Sequence, residues 1–310
     1  MCRSLCFSYY FQAPEDFFYS ARDGNISDVK KRLDEGVRAD SQDNIANTAL
    51  MYASENGHKA VCELLITRGC NVDMQNDYGG TALIRASRNG HDAVCELLIT
   101  CGCNVDMQSK DGHTALLIAS ENGHNAVCEL LITRGCNVDM QNNNGWTALL
   151  IASGNGHNAV CELLITRGCN VDMQNKDGHT ALMKASANGR EAVCELLITR
   201  GCNVDMQDNN GWTALLIASG NGHKEICELL ITRGCNVDMQ SKDVWTAVIL
   251  ASYRGHIPVV ISLIEAGCDY SLRNNDGKSA IDILRENHPD KVEEVQVSRS
   301  PTAVVTHSLI

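Results

Sequence analysis

The chain has 310 residues, a formal charge of −12 and a pI near 5.2, a balance that argues against binding a phosphate backbone, which depends on clustered lysine and arginine. Hydrophobic residues make up 44% but aromatics only 5%, and four prolines argue against long proline-rich linkers. No apolar run approaches the roughly 18 residues of a membrane-spanning helix, and sixteen cysteines without a secretory signal predict free thiols in a reducing compartment.

Residues 1–14 read as an N-terminal tail. Its LCFSYYF stretch is short, is broken by Ser8 and lacks a small-residue cleavage site, so a signal peptide is not expected here. Cys2 and Cys6 beside these aromatics offer S-acylation as an alternative to a plain tail. Residues 15–42 read as a degenerate capping repeat whose second helix carries Asp28, Lys30, Lys31 and Arg32 toward solvent. Thereafter Thr48, Thr81, Thr114, Thr147, Thr180, Thr213 and Thr246 recur every 33 residues, and Ser279 continues the series. This register defines seven full repeats: 43–75, 76–108, 109–141, 142–174, 175–207, 208–240 and 241–273. A partial capping repeat (274–296) and a C-terminal tail (297–310) complete the chain.

Within the repeat at 109–141, Ser109, Lys110, Asp111 and Gly112 make a turn, and Thr114 then stands as an N-cap. Ala115 to about Asn122 reads as one short helix and Asn125 to Arg134 as a second, each stopped by a glycine. Val127, Cys128, Leu131 and Ile132 form one helical stripe. Neither helix reaches the ~12–15 residues at which isolated helices become marginal, so stacking on neighbours must supply the burial.

The turn D-x-x-G-x-T, the Gly-His after the first helix, the V-C-x-x-L-I stripe and the closing G-C-x-V-D resemble the ankyrin repeat, over roughly residues 15–296. The resemblance implies an all-α fold: an ankyrin-repeat solenoid of stacked helix-turn-helix units joined by β-turn loops. It departs from the family pattern where T-P-L-H reads TALM, TALI, TALL or TAVI, and where Arg190 replaces the histidine of the Gly-His pair. Ala46 and Val244 replace turn glycines, and a β-branched residue there predicts a distorted loop at 241–245.

Two cysteine series run at the period, from Cys62 to Cys227 and from Cys70 to Cys268. Equivalent residues of stacked helices lie ~8–10 Å apart, beyond the about 7 Å between Cα atoms that a disulfide tolerates. A C-x₇-C spacing repeated along a rod does not converge on a tetrahedral zinc, so no metal or cofactor is expected. The favoured reading is a small buried hydrophobe at each position. Cys101 stands where the other repeats have arginine and is the candidate reactive thiol. The histidines after the repeat glycine, such as His58, His91 and His256, are expected to hydrogen-bond locally.

Variation between repeats gathers in the turn and along the first helix, the surfaces that the family resemblance places on a concave, partner-gripping face. All three tryptophans, Trp146, Trp212 and Trp245, fall at one turn position, with His113 and His179 at the same position in other repeats. Tryptophan is enriched among binding hot spots. Tyr52, Tyr78, Arg85, Arg88, Lys184, Asp111, Asp177 and Tyr253 complete the candidate partner-binding set, the charged members as its polar rim. The alternative is that each indole packs on its neighbouring loop and each charge is merely solvated.

No dinucleotide, P-loop, zincin or nucleophile-elbow motif occurs, so the chain is read as a non-catalytic interaction scaffold or adaptor that binds one or more proteins. Neither nucleic acid nor an integral membrane contact is expected, and the location is expected to be cytoplasmic, with the nucleus as an alternative. Two rival readings are a cysteine-based redox or metal sensor and a targeting subunit of a larger enzyme complex. The C-terminal Ser308-Leu309-Ile310 resembles a PDZ ligand, a weaker indication of a second partner, and Ser300-Pro301 offers a proline-directed phosphorylation site.

Overall fold

In a computed structural model, which describes residues 14–298, the backbone forms short helices in pairs. The readings at Cys2, Cys6, Ser300-Pro301 and Ser308–Ile310 fall outside the described residues. Those described fall into two compact units, divided between Asn143 and Asn144.

The first unit holds α1 (Glu15–Arg22) with α2 (Ile26–Asp34), α3 (Ala49–Glu55) with α4 (Lys59–Thr67), α5 (Ala82–Arg88) with α6 (Asp92–Thr100), and α7 (Ala115–Asn122) with α8 (Asn125–Thr133). The second holds α9 (Ala148–Asn155) with α10 (Asn158–Thr166), α11 (Ala181–Ala187) with α12 (Glu191–Thr199), α13 (Ala214–Asn221) with α14 (Lys224–Thr232), and α15 (Ala247–Arg254) with α16 (Ile257–Glu265). It ends with α17 (Ala280–Asn287), a 3₁₀ turn at Pro289–Lys291 and α18 (Val292–Ser298). Within each unit, first helices pack on first helices and second helices on second helices, as in α3 on α5 or α12 on α14.

In the seven full repeats the first helix starts at the periodic threonine, whereas α1 follows Pro14 without a side-chain cap. The threonine hydroxyl accepts the backbone N–H three residues on, for example Met51 from Thr48 and Leu216 from Thr213, satisfying a donor that the helix leaves orphaned. Helix α17 uses Ser279 and Asp282 in a reciprocal capping box. On the second helices most of the apolar stripe is buried, with Val127, Cys128 and Leu131 on α8 repeated as Val193, Cys194 and Leu197 on α12, but Ile132, expected on the same stripe, lies at its edge and is half-buried.

Contrary to the expectation of local bonding, His58, His91, His124, His223 and His256, which follow repeat glycines, each reach back one repeat. His91 Nε2 lies 3.0 Å from the Glu55 carbonyl, and its ring sits so close to Gly57 that a Cβ there would be 2.7 Å from Nδ1. The Gly-His pair therefore works between repeats: the glycine of one admits the imidazole of the next. Arg190 repeats this arrangement with its Nε 3.4 Å from the Gly154 carbonyl.

Two further ladders tie neighbouring repeats. Asp73 accepts the backbone N–H of Asn104 at 2.9 Å, and Asp205 that of Asn236 at 3.0 Å. Gln207 donates both to its own turn at Gly211 (2.9 Å) and to the Gln240 carbonyl of the next repeat (3.1 Å). These bonds account for the near-constancy of the NVDMQ segment: Asp73, Asp106, Asp172 and Asp205, and Gln75, Gln108, Gln174 and Gln207, each serve a neighbour that is itself a copy.

The loop at 241–245 is distorted only in its surroundings. Val244 adopts φ +61°, near the +79° of Gly211 at the equivalent position, and still donates to the Ser241 carbonyl at 2.9 Å. What changes is the next turn. Elsewhere each turn donates a backbone N–H to the preceding one, as Lys242 does to Asn210 (2.9 Å), but Asp243 is met by the Asn275 side chain at 3.2 Å instead. A Cβ at Gly211 would stand 2.9 Å from the Lys242 nitrogen, so the branched side chain of Val244 holds the following turn away. Ala46, with a single methyl at φ +60°, keeps the backbone bond from Asp77 to Ile45 at 3.1 Å.

Candidate protein-interaction face

The turn tips and first helices of each unit share one face, because the turn leads directly into the capping threonine. On the second unit this face carries the three tryptophans, all half-buried rather than freely exposed. The turn clamps their backbones: Trp212 N–H donates to Asp208 Oδ1 at 2.8 Å, and Trp245 N–H to Ser241 Oγ at 3.2 Å. Lys184 on α11 extends over the Trp146 ring, its Nζ 4.9 Å from the ring centre. Trp245 meets Tyr253 edge-on at 5.5 Å, and Arg254 lies over that tyrosine at 5.9 Å. Each of these contacts holds an aromatic plate in place while part of it faces solvent.

His179 occupies the tryptophan position of the intervening repeat. Its Nε2 lies 3.5 Å from Asp208 Oδ2, and Asp177, whose side chain is 74% exposed, lies 4.0 Å from Nδ1. Asp208 thus holds both His179 and the Trp212 backbone. The first unit does the same with His113, whose Nε2 is 3.2 Å from Asn142 Nδ2. Both histidines are engaged between repeats.

Elsewhere on the first unit the candidates form a closed polar network. Tyr52 donates its hydroxyl to Asp43 at 2.7 Å, and Arg85 pairs with Glu55 while donating to Asn47 Oδ1 at 2.7 Å. Burial alone would raise the Asp43 carboxyl, but hydrogen bonds from Tyr52, Asn47 and Ile45 outweigh it and hold it below the ordinary aspartate value. Tyr78 is 66% exposed on its turn tip, and Arg88 and Asp111 are exposed as well. Glu55, Asn47 and Asp43 were absent from the sequence-based set; their variation from repeat to repeat, at positions next to Tyr52 and Arg85, was the signal that could have found them.

Overlapping stretches at 17–108, 89–175, 155–241 and 221–295 match the family described as ankyrin repeats in three copies. The chain belongs to the ankyrin-repeat family. Ankyrin repeats are generally protein–protein interaction modules and are typically non-catalytic. No curated protein matches the chain at a significant level.

Within the ankyrin repeats the periodic cysteines, Cys70 apart, are buried in the packing. Cys62, Cys95, Cys128, Cys161, Cys194 and Cys227 are fully buried, each with its Sγ about 3.6 Å from a serine hydroxyl of the same repeat, as in Cys128 with Ser120. Burial pushes the Cys128 thiol up to about 11 and that of Cys136 to about 12, so neither is a thiolate near neutral pH. Cys70 is the exception in its series, being half-buried, and Cys101 is exposed. Among the described residues no group of three or more His, Cys, Asp or Glu is placed to hold a metal ion, and no helix is long and apolar enough to cross a membrane.

Proposed function

We propose that this ankyrin-repeat chain is a non-catalytic scaffold that binds a partner protein through the turn tips and first helices of its second unit. The observation that carries the proposal is the set of Trp146, Trp212 and Trp245 at one turn position, each half-buried and two of them backed by Lys184 or Tyr253. An indole held by a neighbouring side chain presents a large, rigid apolar surface at little conformational cost, which is how hot-spot residues act. The rest of the repeat is committed elsewhere: NVDMQ to the ladders between repeats, and the cysteine stripe to the core. Tyr78 and Arg88, exposed on the first unit, are a second and separate candidate patch.

Affinity capture from a cell lysate tests the proposal. The double variant Trp146→Ala with Trp212→Ala should lose the main captured protein while its unfolding transition stays close to wild type. Equal recovery of that protein by the double variant would refute binding at this face.

A further inference from the structure

The second unit divides its charge between its two sets of helices. First helices α9, α11, α13 and α15 carry Lys184 and Arg254 and no carboxylate. Second helices α10, α12, α14 and α16 carry Glu162, Glu191, Glu195, Glu225, Glu228 and Glu265 against one lysine, Lys224. Arginines at the ends of those second helices lie among the glutamates, as Arg200 does 3.8 Å from Glu162. At the turn tips Lys176 lies beside Asp177 and Lys242 beside Asp243, while the carboxylate of Asp208 is engaged by His179 and the Trp212 N–H and that of Asp276 by Asn274. On α17 the two carboxylates are taken, Asp282 by Arg273 and Glu286 by Lys278. In a chain of formal charge −12, the first helices of the tryptophan face thus carry only cationic charge.

Both cations rest on aromatic rings of that face, Lys184 on Trp146 and Arg254 on Tyr253. Neither has a carboxylate within ion-pair distance among the described residues. A ring contact orients a cation without neutralising it, so both charges remain open to an anion. Two helix-to-helix steps separate α11 from α15, about 16–20 Å at the usual ~8–10 Å per step. That distance is spanned by about five or six extended residues at ~3.3 Å each. Between the two cations lie Trp212 and Ile217, both half-buried.

We infer that the partner presents to this face an extended acidic and apolar peptide segment. Two carboxylates about five or six residues apart pair with Lys184 and Arg254, and apolar side chains between them pack on Trp212 and Ile217. The inference rests on the binding role proposed above and adds the chemistry of what is bound. A basic segment would meet two like charges, and a neutral one would cover both cations without pairing them, which costs more than leaving them in water.

The chain has three tryptophans, all on this face, so its intrinsic tryptophan emission reports on this face alone. A random 16-residue peptide library displayed on phage is selected against the full chain, and synthetic copies of the recovered peptides are titrated while emission is read. The expected peptides are rich in Asp, Glu and apolar residues, shift the emission, and lose tenfold or more in affinity against Lys184→Glu or Arg254→Glu but not against Lys184→Arg. Circular dichroism of each variant separates loss of fold from loss of contact. Recovered peptides that shift the emission yet are basic or uncharged, or are indifferent to both charge reversals, overturn the acidic assignment while binding at this face survives. A selection yielding no peptide that moves the wild-type emission overturns both.

Discussion

Val244→Gly should stabilise the protein, an unusual outcome for emptying a half-buried side chain. Val244 is held at φ +61°, where L-residues carry a penalty of about 1–2 kcal/mol that glycine lacks. Glycine returns roughly 0.4–1 kcal/mol of that through the greater freedom of the unfolded chain. The structure adds a second gain. With the branched side chain gone, the following turn can approach, and Asn275 N–H can donate to the Asp243 carbonyl as Lys242 does to Asn210 at 2.9 Å. A typical intramolecular hydrogen bond contributes about 0.5–1.5 kcal/mol net. The sum is a stabilisation of about 1–2 kcal/mol. In a repeat array, where stability is close to a sum of local and nearest-neighbour terms, it should be felt chiefly in the flanking helices α13 to α17. Native-state hydrogen exchange is the appropriate assay: the Asn275 amide should gain protection, and amides of α15 and α17 should exchange more slowly by the factor that this free energy sets. An unprotected Asn275 amide with unchanged or faster exchange in α15 would refute the claim that Val244 holds the turns apart.

With Cys2 and Cys6 replaced by serine, thiol labelling of the native protein should modify Cys101 at once and Cys70 more slowly, while the buried periodic cysteines react only as the chain unfolds; Cys101→Arg in that background should remove the fast phase. His91→Ala should cost about 1 kcal/mol, the worth of one neutral hydrogen bond, because Asn89 Nδ2 still donates to the Glu55 carbonyl at 2.9 Å and spares it from being orphaned; urea unfolding measures the loss. The depressed Asp43 carboxyl contributes stability that is complete above the ordinary aspartate value near ~3.9 and is lost as pH falls through its lower folded value. Asp43→Asn should therefore unfold less steeply with acid than wild type between pH 5 and 2, and parallel acid titrations of both would contradict that sign.

The helix pairs, their caps and the buried stripe were legible in the sequence because they depend on residues close along the chain. Thr114 announces a helix start through the three residues after it, and Val127, Cys128 and Leu131 declare a buried side by spacing alone. The cysteines were readable by exclusion, since their spacing suits neither a disulfide nor a metal. The contacts between repeats were less legible. No local pattern shows that the partner of His91 lies 36 residues back at Glu55, so bonding within its own repeat was the natural expectation. The Asp43–Tyr52–Asn47–Arg85–Glu55 network joins residues of two repeats at positions that vary, so no periodicity reveals it. Val244 is recognisable as a misfit, yet its effect falls on the next turn rather than its own. The tryptophan position was visible as a pattern, but the support that Lys184 and Tyr253 give to those rings depends on rotamers and neighbours that only coordinates supply.

Hydrogen–deuterium exchange of the full chain with and without its captured partner tests most directly whether the variable face, not the cysteine-bearing second helices, makes the contact. Added protection at the turn tips around Trp146, Trp212 and Trp245 and along α11 and α15 is the predicted footprint. Added protection confined to α10, α12 and α14 would contradict it.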